Sequence, residues 1–204
     1  MYGADVRSES SAESVAVEFL EYREVLPALM RQGLAEAEDD AGLIRLEFDP
    51  NPRLKCTHVK DPGSTFPPYP DAAVKEKAKD ALPEMIRHVV AKMNLNEVSV
   101  IPVGAWRDVL DCVAFELAND EHWREVDALA AMHQQTRNPL VFAKAETPIL
   151  GKMVQALLKG GTTPRHDIII TCDSRPLLLE IFHDGAFSLT CEAGMAEQAL
   201  KGLC

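Results

Sequence analysis

The last third of the chain constrains the fold most. Residues 167–172, 177–182 and 186–190 are apolar or alternating runs of strand length. Between them stand Asp173-Ser174-Arg175-Pro176 and His183-Asp184-Gly185, clusters that bend the backbone. Connections this short join antiparallel neighbours, so the segment predicts a three-strand meander before a short terminal helix. A sheet so apolar needs cover, and the helices that supply it must come from upstream.

The upstream helices carry their own start and stop signals. Thr147-Pro148 opens one and Gly160-Gly161 ends it. Residues 98–103 and 140–143 read as strands. Gly104 releases a helical stretch over 106–135, broken at Asn119-Asp120, where the aspartate caps a second helix. Asp71 is placed to cap a helix running to Met93. Ser10-Ser11-Ala12-Glu13 has capping-box spacing. After it Val15, Phe19, Tyr22, Leu26, Leu29 and Leu34 recur near helical period, predicting one long helix kinked at Pro27. Residues 43–48 and 53–59 then read as a hairpin across Asp49-Pro50-Asn51-Pro52.

Two stretches echo each other. Met30 and Gln32 precede a glycine, a strand and Asp49-Pro50-Asn51-Pro52. Met153 and Gln155 precede the same order ending in Asp173-Ser174-Arg175-Pro176. The expected fold is therefore α+β, a mixed α/β chain whose largely antiparallel sheet of hairpins is covered by helices. Its two helix–hairpin–helix halves are 14–95 and 146–204, with 96–145 between them. With 204 residues and 47% of them hydrophobic, a single globular domain over 14–204 is expected, preceded by a flexible acidic tail over 1–13.

Composition excludes several function classes. A net charge of −11 repels phosphate backbones, and the basic residues are not interleaved with aromatics, so no nucleic-acid partner is expected. No apolar run is long enough to span a bilayer, and the polar, acidic N-terminus is unlike a signal peptide, so the expectation is a cytoplasmic protein with no membrane partner. The five cysteines are odd in number, widely spaced and never Cys-x-x-Cys, which fits reduced thiols. There is no Gly-x-Gly-x-x-Gly, and Glu146 stands where a phosphate-binding loop ending in Gly151-Lys152 needs its first glycine. No cofactor is implied.

The candidate chemistry is sparse. Cys56 and His58, two apart on a strand, share a face and offer two soft metal ligands. Cys172 and Asp173, after a strand preceded by His166, supply the types of a thiol nucleophile, a base and a carboxylate. Lys159 and Arg165 flank the glycine-rich loop Gly160-Gly161-Thr162-Thr163, a candidate anion site. Phe66 and Tyr69, in the stiff segment Phe66-Pro67-Pro68-Tyr69-Pro70, suit a recognition loop. These signals favour a noncatalytic binding or adaptor module, a homodimer, recognising a protein segment or a small ligand. The competing expectations are a hydrolase or transferase built on the Cys/His/Asp or metal residues, and a purely structural or regulatory domain.

Overall fold

The C-terminal meander forms as its turn chemistry dictates. In a computed structural model, which describes residues 17–38, 41–59 and 71–200, β7 (Ile168–Thr171), β8 (Leu177–Ile181) and β9 (Phe187–Glu192) are consecutive antiparallel neighbours. The short helix α6 (Ala193–Leu200) follows. The meander sits inside a seven-strand antiparallel sheet. Naming the rest in chain order gives β1 (Val17–Phe19), β2 (Leu34–Glu38), β3 (Ile44–Phe48), β4 (Leu54–Val59), β5 (Glu97–Pro102) and β6 (Leu140–Ala143). The sheet order is β1-β6-β5-β7-β8-β9-β4, and β2 with β3 makes a separate hairpin.

One face of the sheet carries the main core. α2 (Asp71–Lys92), α3 (Trp106–Leu117), α4 (Glu121–Ala130) and α5 (Thr147–Gly160) pack there with α6, burying Ile168, Ile170, Leu177, Leu179, Phe187 and Leu189. The break between α3 and α4 is where its cap predicts. Asp120 accepts a bond from the Trp123 amide at 3.0 Å, satisfying a donor the helix start would otherwise leave open. Trp106 is fully buried and donates its indole N–H to the Asn138 carbonyl at 2.7 Å.

The opposite face has a smaller lid. α1 (Tyr22–Arg31) and the β2–β3 hairpin bring Val25, Leu29, Leu34, Ile44 and Leu46 onto Ile101, Ile169 and Leu178. Because both faces of β7 are covered, Ile168, Ile169 and Ile170 are all buried, and the strand reads as a continuous apolar run rather than an alternating one. Strand register then shows how this face changes from apolar to polar across the sheet. Ile101, Ile169, Glu180, Ser188 and His58 form one row across β5, β7, β8, β9 and β4. Its first two members lie under the lid; the rest are polar, and the half-buried Glu180 feels the charges of Glu47 and Arg45 on β3.

The N-terminal third departs from expectation. Residues 17–19 pair with β6 as a strand, α1 is only 10 residues long, and the acidic stretch after it is strand β2. Val15 to Leu34 keep helical spacing, yet β1 earns its place only through a partner more than a hundred residues away, which local periodicity cannot register. The anticipated hairpin of 43–48 with 53–59 does not form: β3 pairs with β2, and β4 pairs with β9. Asp49-Pro50-Asn51-Pro52 is a link between sheets rather than a hairpin turn. By contrast β7 and β8 are direct neighbours, so the two echoing stretches do not share a strand order. The expected acidic tail over 1–13 and its capping box lie outside the described residues, as do Phe66 and Tyr69 with their proline segment.

Candidate functional site

Polar and charged groups collect at one end of the sheet, where β5 ends, β7 begins and β8 turns into β9. A 3₁₀ turn, Pro164–His166, leads into β7 there. Gly104, just past β5, lies against it: a Cβ on Gly104 would stand 2.9 Å from the Arg165 carbonyl and 2.7 Å from Asp108 Oδ2. Only glycine lets the turn and the start of α3 approach this closely. Ala105 donates its backbone N–H to Asp108 Oδ2 at 3.1 Å, closing the helix start.

This approach places two guanidiniums on one cleft. Arg137 donates through Nε to the Gly104 carbonyl at 2.8 Å and through a terminal nitrogen to the Gly42 carbonyl. Arg165 donates to the Ala41 carbonyl at 3.3 Å. Both therefore reach from the sheet end to the link between β2 and β3. The cleft is about 400 Å³ and is lined by Tyr22, Glu36, Gly104, Ala105, Gln135, Arg137 and Arg165. Tyr22 is fixed at the start of α1 by its amide, which donates to Asn138 Oδ1 at 3.1 Å. Burial, then the charge of Glu36, pushes its phenol far above the ordinary tyrosine range.

Beside the cleft lie two imidazoles. His183 donates both its backbone N–H and its ring to Asp167 Oδ1, at 2.7 and 2.8 Å. Asp167 is buried, and that burial pushes its carboxyl up despite the His183 bonds, which pull the other way. His166 is turned back on its own loop, where Nδ1 accepts the Thr162 amide at 2.9 Å and the Thr163 amide at 3.3 Å. Gly161 packs against both residues: a Cβ there would meet His183 Cβ at 3.2 Å and His166 Cβ at 3.5 Å.

The residues singled out from sequence are dispersed. Arg165 lines the arginine cleft and His166 adjoins it. Cys172 and Asp173 lie past the other end of β7, so the strand stands between them and His166. The Cys172 thiol is buried at 1% exposure, its acidity is weakened by that burial, and it points at the Arg175 carbonyl at 3.2 Å. Lys159 belongs to a different cleft of about 320 Å³, where it pairs with Glu116 beside Lys152, itself paired with Asp120. Cys56 and His58 share the lid-side face of β4. There Cys56 Sγ lies 3.5 Å from Ser188 Oγ, and the His58 ring lies 5.9 Å from that of Phe182. Among the described residues no three His, Cys, Asp or Glu side chains are grouped to hold a metal ion.

Sequence reasoning missed Tyr22, Glu36, Arg137, Asp167 and His183. For the last two a signal was present. In the predicted meander, residues just before β7 and just after β8 must share one sheet end, and the observed register, Ile168 opposite Ile181, puts Asp167 beside His183. No helix of the described residues is long and apolar enough to cross a membrane. Compared with known proteins, the chain matches no family model, no curated protein and no solved structure.

Proposed function

We propose that this protein is a noncatalytic binding module that takes a small anionic ligand, a carboxylate or phosphate group, into the cleft between Tyr22, Arg137 and Arg165. The observation that carries the reading is the convergence of two guanidiniums on one polar concavity in a chain of net charge −11. Guanidinium forks match carboxylate and phosphate oxygens, and a cleft of this size suits a small molecule. Arg137 is anchored by two carbonyls and sets the local charge. Arg165, exposed and held by a single longer bond, is the arm that closes on the ligand. Glu36 on the neighbouring wall repels polyanions, which limits the ligand to one or two charges.

A thermal-shift series with inorganic phosphate, succinate and acetate against chloride, at constant ionic strength, tests this. A ligand that binds only the folded state adds stability by mass action, about 2.7 kcal/mol when present at a hundred times its Kd. At least one oxyanion is expected to raise Tm above the chloride series, and Arg165→Gln is expected to erase that rise. Equal Tm in all four salts overturns the reading.

A further inference from the structure

We propose that the outer edge of β4 is a self-association surface, on which a second copy of this chain adds its own β4 antiparallel about a two-fold axis at Cys56. The inference is independent of the arginine cleft. It rests on where the backbone groups of β4 point. The seven-strand sheet ends in two edge strands, β1 with three residues and β4 with six. The register of β4 on β9 continues to Arg53 opposite Ala193, whose amide donates to the Arg53 carbonyl at 3.2 Å. Hydrogen-bonded positions alternate along such a ladder, so Lys55, Thr57 and Val59 bond toward β9. Leu54, Cys56 and His58 therefore aim their N–H and C=O groups outward. The Leu54 amide is taken by the Asn51 carbonyl. The amides of Cys56 and His58, and the carbonyls of Leu54, Cys56 and His58, have no bonding strand beside them among the described residues.

This edge carries none of the features that keep a strand from pairing. It has no proline, and its six residues keep register with β9 without a bulge. Its lysine, Lys55, reaches Glu197 on α6 at 3.3 Å, back toward its own chain. The opposite edge, β1, is half as long and bears an exposed Glu18.

A second copy is the occupant because β4 is complementary to itself. An isologous pair sets one residue opposite its own copy, which leaves few registers. An axis at Lys55 opposes two ammoniums, which is destabilising. An axis at Thr57 carries Arg53 and Leu54 past the end of the facing strand. An axis at Cys56, the midpoint of the 53–59 ladder, pairs it along its whole length. Lys55 then faces Thr57, Arg53 faces Val59 and Leu54 faces His58, with no like charges opposed. The two Cys56 amides donate to the Cys56 carbonyls across the axis, and each His58 amide donates to a Leu54 carbonyl. Four interchain bonds on so narrow a contact make a dimer that forms at high protein concentration rather than an obligate one. Cys56 Sγ lies 3.5 Å from Ser188 Oγ, on the sheet face and out of the plane of these bonds, so the two thiols flank the axis on one side. Directly opposite residues of this kind have Cα atoms about 5.5 Å apart, within the span of a disulfide.

Sedimentation equilibrium of the full chain under reducing conditions, from low micromolar to near-millimolar protein, is the test. The mass is expected to rise from 22.5 kDa toward twice that value. Cys56→Pro deletes the central donor of each copy and leaves the bonds to β9 in place, since the Cys56 N–H points away from β9. It is expected to weaken the dimer about 30-fold, roughly fivefold for each of the two bonds lost. In the absence of reductant, diamide takes two electrons and two protons from a pair of thiols and joins them as a disulfide. At dimer-forming concentration it is expected to link Cys56 to Cys56, as mapped by peptide mass. A Cys56→Ser, His58→Cys variant is expected to stay unlinked at that position, because in this register the two residues 58 are offset by about 14 Å along the strands. The contrast between the two thiol positions decides the matter if Cys56→Pro fails to fold. A mass that stays at one chain throughout overturns the proposal and leaves the edge to an extended segment of another protein. A dimer unaffected by a folded Cys56→Pro, a dimer whose Cys56 thiols do not link, or equal linking through His58→Cys also overturns it.

Discussion

Replacing Ile169 with alanine tests whether the lid packs as described, and the cleft depends on that lid. Ile169 is 1% exposed, and on its side of the sheet it meets Leu29, Leu34, Ile44 and Leu46 rather than the main helices. The substitution deletes three carbons. At about 0.8 kcal/mol per buried carbon the transfer loss is about 2.4 kcal/mol, and the cavity left behind raises it to about 3 kcal/mol. For a chain of this size that lowers Tm by about 6–12 °C. Chemical denaturation with urea, read by tryptophan fluorescence, is expected to show a lower midpoint with an unchanged slope. Phe115→Ala, at a side chain 91% exposed, is the control and is expected within about 0.5 kcal/mol of the parent. If Ile169→Ala matches that control, the outer face of β7 is solvated and the hairpin bearing Glu36 is not where the cleft requires it.

Three further outcomes follow from the same contacts. Gly104→Ala drives a Cβ to 2.9 Å from the Arg165 carbonyl, so it is expected to cost about 1–3 kcal/mol by urea denaturation and to weaken any oxyanion-induced Tm rise; an unchanged midpoint refutes the close approach. Burial raises the carboxyl of Asp167, so its ionised form opposes folding. Stability tied to this group is full below the ordinary aspartate range, about 3.9, and is lost as pH rises through the higher folded-state value. Asp167→Asn keeps an acceptor for His183 without the charge, so its Tm relative to the parent is expected to improve from acid to neutral pH; a deficit that grows with pH contradicts the sign. In the folded protein a disulfide exchange reagent is expected to modify Cys56 before Cys172 and Cys191, because Cys56 is exposed while the other two are buried and the Cys191 thiol is pushed up to about 11. Peptide mapping that finds Cys191 modified before Cys56 contradicts the register of β4 on β9.

Legibility from sequence followed the range of the interactions. Elements with their own start and stop signals were readable: Thr147-Pro148 and Gly160 bound α5, Asp120 caps α4, and the two turn clusters delimit β7, β8 and β9. β1 was read as helix, and β4 was read as a strand but paired with β3, because the true partners, β6 and β9, are distant in the chain. Asp49-Pro50-Asn51-Pro52 bends the chain equally well into a hairpin or between sheets, and its residues do not choose. The site was less legible than the fold. Arg165 stood out beside a glycine-rich loop and His166 as a base for Cys172, but Tyr22, Glu36 and Arg137 reach the cleft that Arg165 lines from three separate parts of the chain, and no spacing in the chain records that meeting. Cys172 drew notice for its reactive type, yet the alternation that puts it in line with Ile168 and Ile170 is the pattern of a core residue.

The most direct measurement on the proposed function is a two-dimensional amide and Arg Nε–H NMR titration with inorganic phosphate, on the parent and on Arg165→Gln. The account predicts saturable shifts at Gly104, Ala105 and the Arg165 Nε–H, with a Kd of about 1 mM or tighter, worth about 4 kcal/mol, and their loss in the variant. Shifts that never saturate, that centre away from the end of β5, or that persist unchanged in Arg165→Gln contradict it.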